Sequence, residues 1–302
     1  MDPYAAAERL QGQFHTTPVL SCAALDAWAG RTLALKCENF QRAGSFKIRG
    51  ASNAVSKLPS DIDHVVTASS GNYGQALAVA ARRHGLRCTV VVPSDAPAVK
   101  LAAMKGYGAT IVLCEPTLAD RQRVLEATVK ATGGTWLCSH DHPDVIEGQG
   151  TVAVELMEQV PGLDAIIAPI GGGGLVAGIA LACRDTGVLA YAGEPFGADD
   201  AWRSMDQGVR IEEPHPDTIA GGLLVSLGEH NWPIVRDHVA GIIRVTEDEI
   251  LEAMRLCWER AKLVIEPSSA VALAAARKLP DEVEDVGVVL SGGNVDLGKL
   301  PF

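Results

Sequence analysis

The stretch AIIAPIGGGGLVAGIALA, residues 165–182, decides the fold. An apolar run, Ala165–Ile170, meets four consecutive glycines, Gly171, Gly172, Gly173 and Gly174, and a second apolar run of helical length follows. A short strand without polar alternation is buried on both faces, as in a parallel sheet covered by helices on either side. The glycines then stand at the strand-to-helix turn. Four in a row cost considerable conformational entropy. The use that offsets it is close approach of backbone N–H groups to an anion at the helix N-terminus. A merely flexible turn is the weaker reading.

Outward from this unit the same grammar recurs. Strands are predicted over Thr32–Lys36, His64–Ala68, Arg87–Val92, Thr110–Leu113, Ala165–Ile170, Ala190–Gly193 and Val286–Leu290. Helices are predicted over Arg49–Lys57, Tyr73–His84, Ala98–Tyr107, Thr117–Thr132, Gly148–Gln159, Leu175–Thr186, Glu247–Lys262 and Pro267–Lys278. Gly, Ser or Pro punctuates each strand-to-helix step. The alternation predicts an α/β fold with mostly parallel sheets and helices on both faces. Ligands on such sheets sit beyond the carboxyl ends of the strands. No internal repeat, low-complexity segment or Pro/Ser-rich linker interrupts the pattern.

Composition narrows the function. The chain has 302 residues, 47% hydrophobic and 21% charged, enough for a sizeable core in about two units of roughly 150 residues. With 26 Lys and Arg against 37 Asp and Glu, the net charge is −11. That argues against nucleic acid or an anionic membrane as partner and for small-molecule chemistry. No apolar run approaches the roughly 18 residues that span a bilayer. The first residues, MDPYAAAERLQGQ, lack a signal pattern, so a cytoplasmic protein is expected. The seven cysteines are scattered, with no CxxC and no Cys–His cluster. They read as reduced, buried thiols and not as a disulfide framework or a zinc site.

Three further loops bear on chemistry. In GSFKIRGA (44–51), Lys47 stands at a helix start, where the dipole disfavours its ammonium and helps the neutral amine that a Schiff base needs. By itself it reads more simply as a surface lysine in a basic turn between Arg42 and Arg49. In SSGNYGQA (69–76), Ser69, Ser70 and Asn72 open a long helix. N–H groups and side-chain oxygens facing a ligand and an ordinary N-cap with a glycine turn are equally good readings. In LSGGNVDLG (290–298), Ser291 at a strand end can meet a flat ring edge-on, or belong to a plain turn. The glycine loop also fits a dinucleotide fingerprint through Gly172, Gly174 and Ala177, with Glu194 spaced to hold a ribose. That rival, a nicotinamide- or nucleotide-binding Rossmann-type protein, leaves the other three loops unexplained.

Pyridoxal 5′-phosphate (PLP) unites all four loops: its aldehyde needs a lysine, its phosphate a glycine-rich helix start, its ring nitrogen a tuned partner. GSFKIRGA, SSGNYGQA, GGGGLVAGIA, AGEPFGADD, VTEDEI, IEPSSAVA and LSGGNVDLG occur in this order. Through them the chain resembles the fold-type II PLP enzymes, in particular the serine racemase and serine/threonine dehydratase group, over essentially its whole length. The resemblance implies a two-domain fold of the tryptophan synthase β type and a homodimer. Residues 1–59 and 142–302 would form a large PLP-binding domain and residues 60–141 a small one. Lys47 would carry the cofactor and act as base on one face, and Phe46 would pack against the ring. Gly171, Gly172, Gly173 and Gly174 would hold the phosphate, Asn72 would bond the phenolic oxygen and Ser291 would meet the ring nitrogen. A hydroxyl there leaves the ring a weaker electron sink than a carboxylate would, which favours loss of a β-leaving group over a long-lived carbanion.

The same resemblance puts Ser70 where the racemase has its base on the opposite face. Ser69, Ser70, Asn72 and Tyr73 would surround the substrate carboxylate. Arg121 would receive a second carboxylate, as in 3-hydroxyaspartate, or else lies on a solvated helix face. Glu194, the Ala198 carbonyl and Asp200 match a divalent-cation loop, and hard oxygen ligands suit Mg²⁺, with Ca²⁺ or Mn²⁺ as substitutes. Three positions depart from the group: Tyr73 replaces a histidine, Gly221 in TIAGG replaces an aspartate, and Val225 replaces a pocket serine. All three bear on substrate selection. Gln75, Tyr107 and Asn294 match residues near the racemase's interfacial nucleotide site, yet Arg42 replaces a lysine, so no ATP regulation is expected. The expected activity is ammonia-lyase (dehydratase) chemistry on L-threonine, L-serine or 3-hydroxyaspartate, giving a 2-keto acid and ammonia. Serine racemisation is the alternative.

Overall fold

The computed structural model describes residues 1–212 and 215–302. Its strands are β1 (Val19–Leu20), β2 (Thr32–Cys37), β3 (His64–Ala68), β4 (Arg87–Pro93), β5 (Thr110–Cys114), β6 (Thr135–Trp136), β7 (Ala165–Pro169), β8 (Leu189–Pro195), β9 (Gly241–Val245) and β10 (Asp285–Leu290). The helices of the first half are α1 (Pro3–Arg9), α2 (Ala23–Ala29), α3 (Lys47–Ser56), α4 (Asn72–Arg83), α5 (Ala98–Gly106), α6 (Leu118–Thr132) and α7 (Pro143–Gln149). Those of the second half are α8 (Thr151–Gln159), α9 (Gly174–Cys183), α10 (Asp200–Gln207), α11 (Asn231–His238), α12 (Glu247–Leu256) and α13 (Pro267–Ala276).

The strands form two sheets. One has the order β1-β2-β10-β7-β8-β9, parallel throughout except where β1 meets β2. The other has the order β5-β4-β3-β6 and is wholly parallel. The expected α/β architecture with helices on both faces is what forms, and the alternation of side chains shows why. Along β7, Ala165 and Ile167 pack with α12 and α13 on one face, while Ile166 and Ala168 pack with α8 and α9 on the other. Along β3, Val65 joins the core under α3 and α4, and Val66 the one under α6. Each fully buried branched side chain contributes about 1.5–3 kcal/mol, so a strand polar on either face would not sit here.

All seven expected strands are present. Missing from the expectation were β1, β6 and β9 and the short helices α1, α2, α10 and α11. The helix expected over Gly148–Gln159 is instead two, α7 and α8, with Gly150 between them. There Gly150 and Gly178 let the backbones of α7 and α9 touch; a Cβ on either would meet the other chain segment. The helix expected over Glu247–Lys262 ends as α12 and a π-turn at Cys257–Ala261, closed by Lys262 at φ 60°. All seven cysteines are free, five of them buried.

Candidate active site

The carboxyl ends of β3 and β7 and the Ser291 turn after β10 open on one cavity of about 250 Å³. The first residues of α4 and α9, one helix from each sheet, line it. A helix start presents unengaged N–H groups and a partial positive charge, so the cavity carries two anion-attracting ends. Lys47, the first residue of α3, lies beside them.

The Lys47 ammonium contacts the Ser139 carbonyl at 3.3 Å and lies 5.0 Å from the centre of the Phe46 ring. Burial pushes its amine down from 10.5 to about 8, with Cys138 and Glu266 opposing the shift. The basic turn imagined around it does not exist. Arg49 is fully buried, its guanidinium forked onto Glu38 at 2.8 and 2.7 Å and also 3.1 Å from Glu155. Lys36 completes a charge-balanced group by contacting the same Glu155 oxygen. Bidentate, desolvated pairing of this kind fixes orientation; it holds α3, and hence the Lys47 stem, against β2 and α8.

At the start of α4 the Ser69 Oγ accepts from Gly71 N at 3.3 Å and Gly74 N at 3.1 Å, so it caps the helix. Ser70 is exposed to the cavity. Asn72 has its oxygen engaged within the protein. Its Oδ1 accepts from Asn294 at 2.9 Å, and its Nδ2 donates to Glu266 at 2.6 Å, which leaves the second amide hydrogen free. Asn294 spends its other hydrogen on Ala43 O at 2.7 Å. Tyr73 is 2% exposed and its hydroxyl has no hydrogen-bond partner among the described residues.

The glycine loop is packed, not slack. A Cβ on Gly171 would lie 2.9 Å from Leu223 Cα, and one on Gly172 would enter the His140 ring. One on Gly174 would lie 2.6 Å from the His140 carbonyl, and Gly173 has φ 89°. Asn231 Nδ2 donates to Gly172 O at 2.6 Å and His140 O at 3.1 Å, tying the loop to α11. Among the described residues, the N–H groups of Gly171 to Gly174 find no acceptor. Ser291, buried after β10, meets Ser269 at 3.1 Å.

Three residues of the cavity were not singled out from the sequence. His140 packs on the glycine loop, and burial and the Lys47 charge push its imidazole down to about 4. Glu266 is buried, its carboxyl pushed up by that burial; the signal available was an acid between an apolar strand-like run and a proline. Lys100 lines the cavity, its ammonium 3.7 Å from where a Gly71 Cβ would stand. Val225 and Gly221, two of the departures, line it as well.

Glu194 and Asp200 are not in a free loop. Glu194 is the last residue but one of β8, Asp200 begins α10, and the short turn Phe196–Ala198 lies between. The helix starts there because Glu194 accepts from Ala201 N at 3.0 Å and Trp202 N at 2.8 Å. Its oxygens face the start of α10, and among the described residues no bond joins it to the glycine loop, so nothing in the structure supports a ribose contact there. Burial first, then the Asp200 charge, push its carboxyl well above the usual range. Among the described residues no three His, Cys, Asp or Glu side chains converge as a metal set; the expected set has two plus a carbonyl.

The model of the family described as pyridoxal-phosphate dependent enzyme matches residues 10–292. Serine racemase from Dictyostelium discoideum is 45% identical, the match covering 98% of this chain and 94% of that protein. Beta-hydroxyaspartate dehydratase from Paracoccus denitrificans (strain Pd 1222) is 43% identical, over 100% of this chain and 98% of that one. The crystal structure of a T.th. threonine deaminase superposes with a TM-score of 0.93 at 40% identity, over 98% of each chain. By these matches the chain belongs to the pyridoxal-phosphate dependent enzymes.

Proposed function

We propose that the protein is an ammonia-lyase of small β-hydroxy amino acids. The observation that carries this reading is the Lys47 amine, brought down to about 8 in a cavity flanked by two helix starts. The residues fit PLP. Lys47 supplies the amine for its aldehyde, the unengaged N–H groups of Gly171–Gly174 suit its phosphate, and Asn72 has one amide hydrogen left for its phenolic oxygen. Ser291 would face the ring nitrogen and Phe46 the ring. When bound, PLP withdraws electrons from the Cα of an amino acid. The start of α4, with Ser69, Ser70 and Tyr73 around it, holds the substrate carboxylate. Lys47 Nζ takes the Cα proton and passes it to the departing β-hydroxyl, which leaves as water. The released enamine tautomerises to an imine, and one water hydrolyses that imine to a 2-keto acid and ammonia. His140, its imidazole pushed down to about 4, is too weak a base to compete with Lys47 for the Cα proton.

L-Serine and L-threonine fit the reaction. Lys100 and Arg121 have no ion-pair partner among the described residues and line the same cavity, which supports 3-hydroxyaspartate as a further substrate. The dehydratase relative acts on that compound by its name. The second reading is serine racemisation, favoured by Ser70, an exposed hydroxyl of the cavity from which a second proton transfer can be made, and by the racemase relatives. A panel of these amino acids, assayed for keto acid and for D-isomer, tests both. Keto acid in excess supports the lyase; D-isomer formed without keto acid overturns it.

The wider reading is a cytoplasmic homodimer whose two sheets belong to a large domain, residues 1–59 and 142–302, and a small one, residues 60–141. Glu194, the Ala198 carbonyl and Asp200 hold Mg²⁺, or Ca²⁺ or Mn²⁺ in its place. What supports the ion is a buried carboxyl next to a second one, which a cation would offset.

A further inference from the structure

Ser269, the third residue of α13, is fully buried, and its hydroxyl sits in a closed set of contacts. It accepts from Gly292 N at 2.8 Å, donates to Gly292 O at 2.9 Å and lies 3.1 Å from Ser291 Oγ. A hydroxyl has one proton and two lone pairs. With its proton on Gly292 O and one lone pair taken by Gly292 N, Ser269 has a single lone pair left for Ser291. Ser291 then donates its own proton to Ser269, and its lone pairs are free for the cavity it lines. A second arrangement is equally closed. Ser269 turns its proton to Ser291, Gly292 O keeps the Glu266 N–H at 3.0 Å, and the Ser291 proton is released to the cavity.

We propose that Ser269 is a positioning residue that makes Ser291 reversible, an acceptor for a protonated ring nitrogen and a donor to a neutral one. This rests on the reading that the PLP ring nitrogen meets Ser291. Without Ser269, an accepting Ser291 would strand its own buried proton, so the site could only donate. Ser269→Ala removes one hydrogen bond from either arrangement, but only the accepting one is left with an unsatisfied buried donor. The protonated share of the ring nitrogen therefore falls several-fold, up to about tenfold. The charged group on this side is Glu266, whose Oε1 lies 2.7 Å from where a Gly292 Cβ would stand; it is the same in every variant compared. The effect reaches the reaction because a protonated ring holds charge drawn from Cα for longer. Returning a proton to Cα needs that time, whereas expulsion of the β-hydroxyl does not. Ser269 thus tunes the partition between proton return and elimination.

The test uses holoenzyme reconstituted with PLP carrying ¹⁵N in the ring, at one fixed pH. The ¹⁵N shift is compared in wild type, Ser269→Ala, Ser269→Thr and Ser291→Ala, with visible absorbance and Tm verifying loading and folding. In D₂O, the ratio of Cα deuterium wash-in to keto acid formed from L-serine reads the partition. Ser269→Ala moves the resonance toward the unprotonated value and lowers the ratio several-fold; Ser269→Thr, which keeps the hydroxyl, restores both. Should Ser269→Ala not load cofactor, Ser269→Cys, a weak donor of similar volume, takes its place with the same expected shift. A resonance that moves in Ser291→Ala but not in the Ser269 variant overturns the proposal alone. One that moves in neither overturns the placement of the ring nitrogen, and the proposal with it.

Discussion

Lys47 sets a pH dependence that can be worked out from its burial. An ordinary lysine at 10.5 is almost wholly charged at neutrality; one lowered to about 8 has roughly a tenth of its amine neutral at pH 7. Only the neutral form attacks an aldehyde, so capture of PLP by the cofactor-free protein rises with pH and levels off above about 8. Borohydride trapping at a series of pH values measures this, and a rise continuing towards pH 10 would mean an exposed, ordinary amine. Lys47→Ala loses the visible absorbance and the activity while keeping its fold. Ser70→Ala tests the second face: D-serine turnover and racemisation disappear, while elimination from L-serine survives within about tenfold. Equal losses on both enantiomers would make Ser70 a binding residue only. Tyr73→Phe removes a buried hydroxyl without a hydrogen-bond partner among the described residues, so a Tm gain corresponding to about 1 kcal/mol is expected; a loss of that size would reveal a hidden partner. Lys47 and Asn72, at helix starts that follow strands, and Ser291, just past the last strand, line the cavity together, because the carboxyl ends of parallel strands gather at one side of a sheet. Local pattern alone left each of them with a plain alternative, and the resemblance singled them out. His140 and Lys100 were not singled out, because nothing local distinguishes a histidine packed on a distant glycine loop from one in solvent. The orientation of the Asn72 amide was also hidden, being decided by Asn294 and Glu266, some 200 residues away.

Among the elements, the turn from β7 into α9 is the one whose sequence and structure agree most fully, though for a reason beyond entropy and anion approach. Its glycines are required by His140, Leu223 and Leu227 packing from behind. Gly172→Ala should therefore cost about 1–3 kcal/mol by overpacking. It should also weaken PLP retention during dialysis, because the His140 ring in its way is held by Ser139 at 3.0 Å on a backbone tied to Asn231. Unchanged Tm and retention would show a loop that yields. Long periodic elements were readable; β1 and β6, two residues each, and α1, α2, α10 and α11, no longer than eight, fall below the span over which a period can be recognised. The start of α10 was missed for a different cause: its N-cap acceptor, Glu194, stands on the preceding strand, several residues before the helix.

Across the whole molecule, a cation at Glu194 and Asp200 would join β8 to α10 at a distance from the chemistry. EDTA should lower Tm and rate together, in a graded manner, with Mg²⁺, Mn²⁺ or Ca²⁺ restoring both, and Glu194→Ala should mimic the chelated enzyme and ignore added metal. Exhaustive chelation without effect on either would leave Glu194 as a helix cap. The sheet order itself, with β10 between β2 and β7, could not be read from the chain, since no local pattern says which strands are neighbours. That order has a consequence for synthesis. The four-stranded sheet is complete once Trp136 has left the ribosome, but β2 and β7 must wait with bare edges until Leu290 is made. At about 5–20 residues per second the stretch from Trp136 to Leu290 takes roughly 8–30 s to make. Nascent chains between those two lengths carry one finished sheet and one open, apolar one, and they are where chaperone occupancy on translating ribosomes should peak.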